Sequence, residues 1–149
     1  MTQQNATNNA QIFPVSHTYW WGYGGKIPTG KTINFVINSM YEFGRIAVIT
    51  PPAQGDFLEF QALLKAGAYQ LIMLHDKYTD RAIASIYASE NLLGNVDCYS
   101  SMYSYVNRST LSLNLSTPGL HTFKVVAASK NPNSTNYNLA ITAIFIYAQ

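Results

Sequence analysis

Hydrophobic and polar residues alternate with a period of two along most of the chain beyond residue 32. The clearest run is Leu111-Ser-Leu-Asn-Leu-Ser116, where three leucines alternate with three small polar residues. Ile33, Phe35 and Ile37 alternate with Asn34, Val36 and Asn38; Leu58, Phe60, Ala62 and Leu64 with Glu59 and Gln61; Phe123, Val125 and Ala127 with Thr122, Lys124 and Val126. Successive side chains of a strand point to opposite faces, so each run reads as a strand with one face toward a core. Further strands are predicted over residues 45–50, 69–74, 81–88, 95–99 and 137–147. The last is almost wholly apolar, as expected of a central strand buried on both sides. Helical periodicity is weak throughout, and 56–65 is the one segment that also accommodates a helix.

Turn residues punctuate these runs: Pro51-Pro52, Gln54-Gly55-Asp56, Ala66-Gly67, Asp76-Lys77, Gly94-Asn95, Pro118-Gly119 and Asn131-Pro-Asn-Ser134. At Pro118-Gly119 the proline pre-sets the first φ of a turn and the glycine accepts the positive φ that follows. Eight or so short strands at this spacing predict an all-β, jelly-roll-type antiparallel β-sandwich. Residues 1–16 read as a flexible N-terminal arm, polar up to residue 11, with Ile12, Phe13 and Pro14 as a small hydrophobic anchor. Residues 17–149 read as a single sandwich domain.

Composition narrows the function classes. Of 149 residues 48% are apolar and 20 are aromatic, while only 11% are charged, which excludes a disordered chain. Nine basic against seven acidic residues give a net charge of +2, too weak a field for a dedicated nucleic-acid binder. One cysteine, Cys98, excludes an internal disulfide and a Cys-rich zinc site. No apolar run approaches the ~20 residues of a membrane helix, and the polar start has no signal-peptide pattern. Without such a segment, the Asn-x-Ser/Thr triplets at Asn5, Asn107, Asn114 and Asn133 read as chance in a chain with thirteen asparagines. The remaining polarity is neutral, carried by Asn, Ser, Thr, Gln and Tyr, and such a surface packs against neighbours without burying bare charge.

Reactive chemistry is sparse. Gly25-Lys-Ile-Pro-Thr-Gly30-Lys31-Thr32 matches the phosphate-binding loop pattern, but the segment that follows is β-branched and alternating, not the helix whose N-terminus holds phosphate. It reads as a turn. His17, His75 and His121 form no ligand pair, and Asp76, Asp80 and Asp97 lack calcium-loop spacing. Cys98 has no basic neighbour to activate it. Neither a glycosidase carboxylate pair nor a nucleophile elbow is visible. No catalytic residue, metal or cofactor is expected. The Tyr19-Trp20-Trp21-Gly22-Tyr23 cluster is different: adjacent tryptophans on an extended segment face opposite ways, so one is left for a subunit interface or an exposed ligand platform.

From about residue 56 onward the chain resembles a jelly-roll module of tailed-phage virion proteins, which includes capsid cement (decoration) proteins and tail-fibre tips. The matching elements are Ala66-Gly-Ala-Tyr69, Gly94-Asn-Val-Asp97-Cys-Tyr99-Ser100, Pro118-Gly-Leu-His121-Thr122 and the polar connection from Ser129 to Tyr137. The resemblance implies a non-enzymatic homotrimer on the capsid surface of a virion, bound to the major capsid protein. Ile12, Phe13 and Pro14 would contact the capsid; Tyr19, Trp20, Trp21 and Tyr23 would lie at the subunit interface or ligand platform. The alternative is a receptor-binding tip that recognises host glycan, with the loop tyrosines Tyr99, Tyr103 and Tyr105 as added contacts.

Overall fold

A computed structural model describes residues 3–5, 10–15 and 24–149 of the chain. Its strands are β1 (Gln3–Asn5), β2 (Ala10–Phe13), β3 (Thr32–Ile37), β4 (Arg45–Thr50), β5 (Phe57–Leu64), β6 (Gly67–Lys77), β7 (Ala82–Ala88), β8 (Asn91–Asp97), β9 (Ser104–Leu115), β10 (Gly119–Lys130) and β11 (Ala140–Ala148). They form two antiparallel sheets. In the larger, β11 is central: β6 and then β9 lie on one side, while β2 and β4 share the other and carry β1 and β3 outward. The smaller sheet has the order β5-β10-β7-β8. The fold is a jelly-roll-type β-sandwich, as the alternation required.

The core forms where the inward sets of the two sheets meet. Leu58, Phe60 and Ala62 of β5 and Phe123, Val125 and Ala127 of β10 are buried against Leu71 and Met73 of β6 and Ile144 and Ile146 of β11. Phe60 stacks on Phe123 with ring centroids 5.3 Å apart. Burying aromatic and branched side chains of this size contributes about 1.5–3 kcal/mol each relative to exposure. Segment 57–64 is therefore a strand and not a helix: its four buried apolar residues, Leu58, Phe60, Ala62 and Leu64, share a face only at period two.

The N-terminal expectation needs correction. Ala10–Phe13 is a strand paired with Ile144–Tyr147 of β11, and Phe13 is fully buried with its ring centroid 4.5 Å from that of Phe60. Phe13 is thus an anchor for this chain's own core and has no surface to offer a capsid. Ile12 and Pro14 stay partly exposed. A four-residue strand that begins Ala-Gln has too little alternation to show in sequence, and β11 supplies the pairing that fixes it. Tyr19, Trp20, Trp21 and Tyr23, with His17, lie outside the described residues.

A second cluster occupies the outer face of the large sheet. Ala47 and Ile49 of β4 enter the main core, so the intervening residues point outward, and Ile46 there meets Tyr41 and Ala140, with Val48, Tyr103 and Tyr105 packed alongside. Tyr41 comes from the connection between β3 and β4, in which Phe43 takes φ +60°.

Candidate functional site

Two surfaces bring together side chains able to bind a ligand. The first is a tyrosine cluster near the start of β9. Tyr103 lies with its ring centroid 4.4 Å from Tyr105 and 4.7 Å from Tyr78, and Tyr41 sits 5.4 Å from Tyr105. Below these rings is a buried ion pair. Arg81 donates Nε–H to Asp76 Oδ1 and Nη2–H to Oδ2, both at 2.7 Å, and also pairs with Asp80. Tyr103 donates its hydroxyl to Asp76 Oδ2 at 2.5 Å and accepts one from Tyr41. Asn138 donates to Asp80 Oδ2 at 2.7 Å, which ties in the connection before β11.

Electrostatics follow from that closure. Burial alone would lower the Arg81 pKa, but the hydrogen bonds and charge of Asp76, helped by Asp80, outweigh it and hold the guanidinium charged. The Tyr103 phenol is pushed far above its usual range, first by burial and then by its donation to Asp76. Tyr41 is raised chiefly by burial. Hydroxyl hydrogens so committed cannot also be donated to a ligand. Of the expected glycan contacts, Tyr103 and Tyr105 pack within this cluster. Tyr99 stands on its rim, bridged by backbone pairing to Tyr78, the exposed member of the group. The structure therefore brings Tyr99, Tyr103 and Tyr105 to one region and adds Tyr41 and Tyr78, which sequence separation had hidden.

The second surface is the outer face of the small sheet. Lys124 at the middle of β10 stands opposite Glu59 of β5 and Tyr87 of β7, so register places these three in one row. Thr122 faces Gln61 in the next row, and Val126 faces Phe57 on the other side. Glu59, Tyr87, Thr122, Lys124 and Val126, together with Ser89, Glu90 and Leu120, line an open groove of about 620 Å³, within the range of small-molecule clefts, roughly 300–1,000 Å³. Lys124 Nζ lies 3.9 Å from Glu59 Oε2 and 4.3 Å from the Phe57 ring centroid. Glu59 also sits 3.9 Å from Lys26. These are loose, solvent-facing pairs worth little to stability, so their charges remain available. Leu63, Leu92 and Leu120 are more than half exposed, giving this face an apolar fringe.

The remaining candidate residues have structural partners. Lys31 of the phosphate-loop look-alike donates to Pro51 O at 2.6 Å and lies 3.2 Å from buried Asp56, and strand β3 follows it. His75 is buried: its Nδ1–H bonds Asp76 O and its Nε2 accepts from Ser109, both at 2.9 Å. His121 is held by Ser89 and Thr117. Burial pushes the Cys98 thiol up to about 12, far from reactive thiolate. Among the described residues no three His, Cys, Asp or Glu side chains converge on a metal position.

The antiparallel jelly-roll sandwich is similar in fold to carbohydrate-binding modules and to parts of carbohydrate-active enzymes. A Paenibacillus xanthan lyase matches at TM-score 0.70 and 18% identity over 83% of this chain, which spans 12% of the lyase's length. A family 35 carbohydrate-binding module from Clostridium thermocellum matches at TM-score 0.60 and 13% identity, covering 84% of this chain and 92% of the module. The CBM6cm-2 module of Cellvibrio mixtus lichenase 5A, solved in complex with cellotriose, matches at 0.57 and 15%, covering 93% and 95%. At these identities the likeness establishes the fold. No protein-family model matches the chain, and no match is found among curated proteins. The structural relatives connect the fold with carbohydrate-binding modules, and nothing in them links the chain to phage virion proteins.

Proposed function

We propose that this chain is a non-catalytic carbohydrate-binding module whose ligand lies in the groove across β5, β10 and β7. The observation that carries the reading is the row Glu59–Lys124–Tyr87 with Thr122 and Gln61 beside it. A sugar ring has an apolar C–H face and a rim of hydroxyls. It needs an aromatic or aliphatic surface to cover the one and fixed donors and acceptors for the other. Tyr87 and the leucine fringe offer the first; Glu59, Glu90, Lys124 and Thr122 offer the second. The similarity of the fold to modules that cover almost their whole length supports the same reading.

The arrangement has no nucleophile with an adjacent base, so binding alone accounts for its groups. A capsid cement role gains no support from either surface. Calorimetric titration of the full chain against a panel of soluble plant and bacterial polysaccharides tests the proposal. At least one should bind, and Tyr87→Ala should weaken that binding tenfold or more while leaving the circular-dichroism spectrum unchanged. Binding that survives Tyr87→Ala and is lost in Tyr78→Ala would move the site to the tyrosine cluster. Absence of binding across the panel would reject a carbohydrate role.

A further inference from the structure

We infer that the edge of β3 is a self-association surface that joins two copies of this chain into one continuous sheet. The other sheet edges are each protected. β1 is only three residues long, and β5 is capped by Lys26, whose N–H and C=O both bond Glu59. β8 carries Asp97 and a register shift, and β9 carries the exposed charge of Arg108 and a register shift of its own. Short length, charge, irregularity and cover are the devices that stop strands pairing with strangers. Among the described residues, β3 has none of them. Thr32–Ile37 is uncharged, contains no proline, and pairs with β4 in unbroken register from Thr32↔Thr50 to Ile37↔Arg45.

The register also shows which groups are unpaired. Asn38 N–H bonds Gly44 O, which continues the β3–β4 ladder by one residue. In an antiparallel ladder the bonded residues alternate, so Asn34 and Val36 turn their main-chain groups toward β4. Ile33, Phe35 and Ile37 then direct theirs outward, where no described residue meets them. A second β3 related by a two-fold axis normal to the sheet fits this edge. Centred on Phe35 opposite the partner's Phe35, it sets Ile33 against the partner's Ile37 and satisfies all three residues on both strands. It also gives Ile37, 74% exposed in the single chain, an apolar neighbour. Neutral strand meets neutral strand, and Lys31 is already held by Asp56. Such a contact is isologous and closes at two copies, in contrast to the trimer implied by the phage resemblance.

Sedimentation of the full chain from micromolar to millimolar concentration tests this. The mass should rise from the 16.6 kDa protomer toward twice that value. Ile37→Lys, at an exposed site, should hold the mass at one protomer with unchanged melting temperature. Amide exchange at Ile33, Phe35 and Ile37 should slow as concentration rises, a readout no loss of folding would mimic. A single-protomer mass throughout, a trimer, or a dimer indifferent to Ile37→Lys would overturn the inference.

Discussion

Replacing Asp76 with alanine isolates the interaction that holds the tyrosine cluster together. Asp76 is fully buried and accepts two hydrogen bonds from Arg81 and one from Tyr103. Asp76→Ala would leave the buried Arg81, 7% exposed, with only Asp80, one-third exposed, to balance its charge. Removing one partner of a buried ion pair typically costs about 3–5 kcal/mol, because the other charge stays desolvated. For a domain near this size each kcal/mol lowers Tm by about 2–4 °C, so the melting point should fall by roughly 6–20 °C. Urea denaturation followed by circular dichroism measures the loss directly. The double variant Asp76→Leu with Arg81→Met should recover much of it, since an apolar pair leaves no charge stranded. A loss below about 1 kcal/mol for Asp76→Ala would refute the reasoning, as it would place Arg81 in water.

Other outcomes follow from single side chains. His75 is held below its ordinary pKa, first by burial, so the unfolded chain takes up a proton that the folded one resists. Stability should therefore be complete above the ordinary histidine range and decline as pH falls through it toward the depressed folded value, a slope that His75→Gln should flatten. Phe123→Ala should cost about 3–5 kcal/mol in the same urea assay, because its ring is fully buried and stacked on Phe60. ATP with magnesium should leave the melting temperature unchanged, since Lys31 is engaged by Asp56 and Pro51 and no helix follows the loop.

Strand identity was legible wherever one face is apolar and the other polar. The runs through Leu58–Leu64 and Phe123–Ala127 announced both their conformation and their inward sets, and 45–50 coincides with β4. The nearly unbroken apolarity of 137–147 marks a central strand, and β11, which begins three residues later at Ala140, is paired along both edges. Short or mixed strands were not legible. Ala10–Phe13 exists because β11 offers it a ladder, and the first half of β9, Ser-Tyr-Val-Asn-Arg, carries no clean alternation.

The groove was half visible. Glu59, Gln61, Thr122 and Lys124 stood on the polar faces of their strands from the start, but alternation says nothing about which strands are neighbours. Glu59 and Lys124 meet only because β10, from the far end of the chain, inserts between β5 and β7. Nothing in its local sequence sets Tyr87 apart among eleven tyrosines. In the tyrosine cluster, Tyr99, Tyr103 and Tyr105 are near one another in sequence, whereas Tyr41 reaches Tyr103 across 62 positions. Such pairings are set by topology, which a local pattern does not carry.

Amide chemical-shift mapping during titration with a bound oligosaccharide tests the carbohydrate account most directly. The account predicts perturbations concentrated at Glu59, Gln61, Tyr87, Thr122 and Lys124, with the resonances of Tyr78, Tyr99 and Tyr103 unmoved. Shifts confined to those three tyrosines, or no saturable shift with any saccharide, would contradict it.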